Sequence, residues 1–217
     1  MTLMAEPIEI GSPSNDGENV IVADAPYMAS VTVTGDSAIL FHRYSVDAVE
    51  AKANAAKGSA AKKSDDVESY VWRDEEGRIC LPGEYLRGSM VDPKNGSAKY
   101  LSDPRSPRKS ALDLFKAGVV AITDLAPITK SDGRIAMEWD YLDRRPVNVQ
   151  RSRVTRSRPA FKEGWSATIV LMVLTPNYIS PTLLRQTLTQ AGRLVGVADY
   201  RPTFGRFGIT HFEVLEG

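Results

Sequence analysis

The chain has little of what covalent and metal chemistry needs. Its 217 residues include one cysteine, Cys80, and two histidines, His42 and His211. A lone cysteine cannot close an internal disulfide, and Cys80 sits in the apolar run Ile79-Cys80-Leu81, so it reads as a small buried hydrophobe. With no second thiol and so few imidazoles, a zinc site is not expected. No phosphate loop, metal cluster or nucleophile elbow is present, and no cofactor is expected. No apolar run approaches the roughly 18 residues needed to span a bilayer; the longest, Ala167 to Leu174, is strand-length. Met1 to Asp24 is acidic and polar, without the basic start and apolar stretch of a signal peptide. These absences point to a cytoplasmic protein with no membrane partner.

An excess of either charge is also missing: 27 basic residues balance 27 acidic ones. The distribution is uneven, however. Between Arg144 and Lys162 lie seven basic residues (Arg144, Arg145, Arg151, Arg153, Arg156, Arg158, Lys162) and no acidic one. A hydrophobic fraction of 42% is enough to bury a core in one domain of this length.

Residues 1–26 read as a flexible tail. Gly11 to Gly17 is a cluster of turn formers, and Val20-Ile21-Val22 could add an edge strand. A single domain is expected over 27–217, with insertions at about 44–68 and 93–145. Tyr27 to Arg43 alternates as a strand around Val31 and Val33, then bends or turns back at Gly35-Asp36 before Ile39-Leu40-Phe41. Ala51 to Lys63 is Ala- and Lys-rich without an apolar face, which suits an exposed insertion. Tyr70-Val71-Trp72 and Arg78 to Leu81 flank the turn Asp74 to Gly77 as a hairpin, and a helix follows from Glu84 to Val91. Ser110 is placed to cap a short helix ended by Gly118, with strands expected at Val119 to Ile122 and at Ile135 to Trp139. Residues 146–158 and Trp165 to Leu174 read as strands. Ser180-Pro181 opens a helix for which Gly192 is the expected stop, and Ile209 to Leu215 is the last strand. The fold class is therefore α+β, a ferredoxin-like, RNA-recognition-motif-like βαββαβ core with long insertions.

Two segments carry a family resemblance. Ile79-Cys80-Leu81-Pro82-Gly83-Glu84-Tyr85-Leu86-Arg87-Gly88-Ser89-Met90 resembles the Pro-Gly signature of the RAMP superfamily, which includes backbone subunits of CRISPR effector complexes. Phe204-Gly205-Arg206-Phe207-Gly208 is similar to the glycine-rich loop before the last strand in those proteins. The whole chain also resembles uncharacterised phage and prophage proteins that share the Ala-Asp-Tyr-Arg-Pro and Gly-Arg-Phe-Gly ending. The resemblance implies a modified RNA-recognition-motif fold that binds RNA or single-stranded DNA, often in a filament. It supplies no catalytic residue.

The residues themselves indicate the same partner. Guanidinium groups grip phosphate oxygens in pairs of hydrogen bonds and stack on bases, so Arg151, Arg153, Arg156 and Arg158 could track a nucleic-acid backbone if they face outward on a strand. Their competing role is a solvated face, or ion pairs with acids such as Asp140 and Asp143. In the glycine loop, Gly205 could expose amides to a phosphate, with Arg201 and Arg206 adding charge and Phe204 a stacking face. Tyr44, Trp72, Trp139 and Tyr200 are further aromatic candidates, each equally able to serve as core. Arg87 lies one turn inside a helix whose N-terminus favours an anion. His42 beside Arg43 and Tyr44 is the one candidate general base, with no second histidine near it in sequence. The expected function is binding of single-stranded nucleic acid without catalysis, with self-association or other subunits as further partners. The alternative is an assembly or scaffold protein of a mobile element that self-associates without nucleic acid.

Overall fold

The computed structural model describes residues 25–46, 50, 54, 66–149 and 152–215. Most of the expected tail, the Val20-Ile21-Val22 strand, most of the lysine-bearing insertion and Arg151 lie outside these. In chain order the strands are β1 (Tyr27–Gly35), β2 (Ile39–Leu40), β3 (Trp72–Arg73), β4 (Ile79–Pro82), β5 (Ser102–Asp103), β6 (Ser106–Ser110), β7 (Val119–Ala121), β8 (Leu125–Pro127), β9 (Tyr141–Val149), β10 (Ser152–Phe161), β11 (Ser166–Val173) and β12 (Phe207–Leu215). Three α-helices are described over their full length, α1 (Gly83–Val91), α2 (Leu112–Gly118) and α3 (Pro181–Leu194). None of these helices is long and apolar enough to cross a membrane.

The main sheet has the order β12-β1-β11-β7, and all of its pairings are antiparallel. Taking β1, α1, β7, β11, α3 and β12 as the unit, β11 is inserted between β1 and β7, which is the split βαβ arrangement of a ferredoxin-like α+β fold. β1 alternates as its sequence requires: Ala29, Val31 and Val33 are fully buried, while Ser30, Thr32 and Thr34 are partly exposed. Leu86 and Met90 of α1 and Leu184, Leu188 and Ala191 of α3 meet those residues, with Ile169 and Leu171 of β11, in one core. Each valine, leucine, isoleucine or methionine among them contributes about 1.5–3 kcal/mol by leaving water.

The start of α3 follows its sequence signal. The Leu183 amide donates to Ser180 Oγ at 3.2 Å, and Pro181 occupies the first turn, where its missing N–H costs nothing. The expected end does not hold. Gly192 lies inside α3, which runs to Leu194. A Cβ at Gly192 would stand 1.9 Å from the Phe207 carbonyl oxygen, so this glycine lets α3 approach β12.

Three other local expectations are corrected. Ile39-Leu40-Phe41 neither continues β1 nor folds back on it, because β2 pairs with β10 in a separate sheet of order β2-β10-β9. Ser110 does not cap α2. It pairs with Ser102 in the β5–β6 ladder, and Ala111 stands at the N-cap without a side-chain bond. Ile135 to Trp139 forms no strand: Ala136 alone is held on both sides, by the Ile79 amide and the Ile128 carbonyl, while Ile135 and Met137 are exposed. The hairpin expected around Asp74 to Gly77 is present as β3–β4, extended by β8. The stretch expected as an insertion at 93–145 includes β7, an edge of the main sheet.

Candidate nucleic-acid interface

The arginine run folds into one arm. β9 and β10 pair antiparallel from Tyr141–Ala160 to Val149–Ser152. The two strands carry five arginines (Arg144, Arg145, Arg153, Arg156, Arg158) and one acid, Asp143. The register sets Arg156 opposite Arg145 and Arg158 opposite Asp143. Like charges directly opposed are unfavourable, and two carboxylates relieve this cluster. Asp143 accepts from Arg145 at both oxygens, Nε to Oδ2 at 2.7 Å and Nη2 to Oδ1 at 2.5 Å. Asp199 accepts from Arg158 Nε at 2.5 Å.

The expectation that the late arginines face outward therefore fails for Arg158. Its side chain is 2% exposed, and its Nη1 is buried without a hydrogen-bond partner among the described residues. The reason is tertiary. This face of the arm lies against the loop from Gly196 to Arg206, where Tyr200 and Phe204 meet edge to face at 5.9 Å. The Arg145 guanidinium lies 4.5 Å from the Phe204 ring and 5.3 Å from Tyr200, and Arg158 lies 5.4 Å from Tyr200. Phe204 thus stacks on an arginine of its own chain. Arg156 is half-buried and Arg144 is exposed. Arg153 is described for its backbone, opposite Asn148.

The glycine loop is fastened by its backbone, which corrects its reading as a phosphate cradle at Gly205. The Gly205 amide donates to the Ala38 carbonyl at 2.8 Å, and its carbonyl accepts from Val197 at 2.9 Å. A Cβ at Gly205 would lie 1.9 Å from the Val197 oxygen, and its φ is +73°. Ala198 and Tyr200 also take left-handed backbone, at φ 63° and 60°, a strain on the order of 1 kcal/mol or more for each. They flank Asp199, whose amide donates to Leu40 at 3.0 Å. Arg201 pairs with Asp92 at 3.6 Å, so it is not a free cation. Arg206 is exposed, with Nε donating to the Pro202 carbonyl at 2.9 Å.

Arg87 is also committed internally. Its Nε donates to the Val119 carbonyl at 2.6 Å and its Nη2 to Lys116 at 2.7 Å, while Nη1 meets Glu84 at 3.3 Å. It closes the C-terminal end of α2, where carbonyls lack helical partners.

A cleft of about 420 Å³ opens between α1 and the glycine loop, lined by His42, Glu84, Tyr85, Asp92, Asp199 and Arg201 among others. His42 stacks on Tyr70 with ring centres 4.4 Å apart. Burial and the nearby positive charge of Arg156 hold its pKa below the usual imidazole value, with Asp199 opposing them. At neutral pH this imidazole is uncharged and can give or take one hydrogen bond. Beside it the Arg43 guanidinium lies 4.0 Å from the Trp72 ring, and Trp72 Nε1 donates to Tyr85 Oη at 3.2 Å. Tyr44 is 74% exposed, the most open of the aromatic candidates.

The sheet face away from the helices has a different texture. Reading across the strands, it presents Met28, Ser30, Thr32 and Thr34 of β1 beside Met172, Val170, Thr168 and Ser166 of β11. Thr32 and Thr168 hydroxyls bond at 2.9 Å, and Thr34 and Thr210 at 3.1 Å. These two central strands offer no aromatic or arginine there, so bases cannot stack on them as they do on the sheet of an RNA-recognition motif. Sequence reasoning missed Arg145, Tyr200 and Asp199 as partners in one cluster. The Asp143-x-Arg145 spacing on a strand was the one local signal for it.

The sequence matches no family model. No curated protein matches it either. Among solved structures, the chain is similar to one from the type III-B Cmr-β complex bound to cognate target RNA, at 12% identity and a TM-score of 0.47, covering 91% of this chain and 63% of that one. It is also similar to one from the Csm3–Csm4 subcomplex of a type III-A CRISPR-Cas interference complex, at 12% identity and a TM-score of 0.34, covering 87% of this chain and 77% of that one. The chain thus spans under two thirds of the first of these, and at such identity neither likeness carries a residue role across.

Proposed function

We propose that the chain binds single-stranded nucleic acid along the β9–β10 arm, as a RAMP-like binding subunit rather than as a catalyst. The observation that carries this reading is the arm's charge: five arginines against one aspartate in two paired strands. Arg145 pairs with Asp143 of its own strand, and the arm is fixed to the domain by Arg158 on Asp199 and by Arg145 over Phe204 and Tyr200. Arg144, Arg151, Arg153 and Arg156 remain as the proposed phosphate contacts. The resemblance of Ile79 to Met90 to the RAMP signature agrees with this assignment. So does the absence of base-stacking groups on the central strands of the open sheet face, which leaves the arm as the better platform.

The test is fluorescence anisotropy with labelled single strands of about 30 nucleotides, long enough for several contacts. Affinity that falls as salt rises supports the reading, because each neutralised phosphate releases counterions. Absence of salt-sensitive binding to either RNA or DNA would discard it and favour a scaffold that self-associates without nucleic acid.

A further inference from the structure

β12 forms one edge of the main sheet and pairs with β1 alone. It is nine residues long, Phe-Gly-Ile-Thr-His-Phe-Glu-Val-Leu, and no described residue pairs with its outer side. An open edge offers a row of backbone donors and acceptors to another strand. Proteins usually protect such edges with proline, lysine, short length or a bulge; β12 has no proline or lysine, is nine residues long, and its one bulge leaves His211 to Leu215 regular. It carries one imidazole, His211, and one carboxylate, Glu213, 59% and 61% exposed. They stand opposite Thr32 and Ser30, on the sheet face that no helix covers.

We propose that β12 is a docking edge for a second copy of this chain. The two strands pair antiparallel about a two-fold axis at Phe212, joining two four-stranded sheets into one. An isologous contact of this kind requires the edge to complement itself. A two-fold axis perpendicular to the sheet also keeps the helices of both copies on one side.

These two side chains select the register. β12 pairs with β1 without interruption from His211 to Leu215, and a bulge falls just beyond His211. An axis at Glu213 would place that carboxylate against its own copy, and like charges directly opposed destabilise a sheet. An axis at His211 would oppose the two imidazoles and carry the pairing into the bulge. An axis at Phe212 sets each His211 against Glu213 of the second copy, giving two complementary pairs. The side chains already prefer this chemistry, since His211 Nε2 and Glu213 Oε2 of one chain lie 3.3 Å apart. Pairing exchanges that exposed contact for two across the axis. The proposal is independent of nucleic-acid binding.

Sedimentation of nuclease-treated protein across the micromolar range tests it. The expected result is a reversible monomer–dimer equilibrium with no larger species, because a two-fold contact closes on itself. Glu213→Lys and His211→Glu, each placing like charge or poor partners across the axis, should weaken the dimer about tenfold or more. The double variant carrying both should recover it, since glutamate then faces lysine. Both side chains are exposed, so folding is not at issue, and far-ultraviolet circular dichroism checks it. A wild-type chain that stays monomeric, a dimer indifferent to both single changes, or a double variant that stays dissociated would overturn the proposal.

Discussion

Arg158 Nε lies 2.5 Å from Asp199 Oδ2, and this contact joins the arginine arm to the strained stretch of the glycine loop. The two partners are unequally buried: the arginine side chain is 2% exposed and the aspartate 36%. Removing one partner should therefore cost more from one side than from the other. Asp199→Ala leaves a guanidinium buried without its acceptor and should cost about 3 kcal/mol. Arg158→Met leaves a carboxylate that water can reach, and should cost about 1 kcal/mol. Urea denaturation of both variants measures the asymmetry.

Gly192→Ala sets helix propensity against packing. Alanine is favoured over glycine inside a helix by about 1 kcal/mol. Here the added carbon would stand 1.9 Å from the Phe207 carbonyl oxygen, which is backbone and cannot swing aside. The clash should win, with net destabilisation of about 2 kcal/mol measured by urea denaturation. A neutral or stabilised variant would show that α3 and β12 can separate freely.

Stability should fall in two separate steps on acidification. His42 has a folded pKa held below 6.5 by burial and Arg156, so the unfolded chain takes up its proton first. Its contribution is complete above the unfolded value and disappears as pH falls through the folded one. The Asp92 carboxyl is held below 3.8 chiefly by the Lys94 amide, helped by Asn95 and Arg201 and opposed by partial burial. Its contribution disappears only at lower pH. His42→Gln should flatten the upper limb of a stability–pH curve and leave the lower limb in place. Chemical denaturation at several pH values checks both limbs.

Cys80 should react slowly in the folded protein. It is fully buried, and burial with the negative Asp74 beside it pushes its thiol pKa up to about 12. Little thiolate forms at neutral pH. Labelling by a disulfide reagent should follow global unfolding and accelerate with urea in step with it; fast labelling without denaturant would contradict this burial.

Much of the fold could be read from local signals. The alternation in β1, the Ser180-Pro181 helix start and the apolar stripe of α3 are set by residues a few positions apart, as periodicity and capping are. What escaped depended on distant parts of the chain. Gly192 has the residue type of a helix stop, and only the position of Phe207 makes it a packing glycine. Arg158 and Asp199 are 41 positions apart, and strand spacing cannot say which face of the arm a later loop will cover. The arginine run was therefore visible as charge before it could be divided into groups that hold the arm and groups left for a ligand. Gly205 similarly reads as a flexible, exposed loop residue until Ala38 and Val197 are seen to take both of its backbone groups.

The most direct test of the account is the salt dependence of strand binding by the wild type and by Arg151→Glu with Arg153→Glu. The account predicts that the double variant binds more weakly, with the slope of log affinity against log salt reduced by about 1.4, as loss of two phosphate contacts on a single strand requires. Its melting temperature should stay near that of the wild type. An unchanged affinity and slope would contradict the assignment of the arm as the nucleic-acid interface.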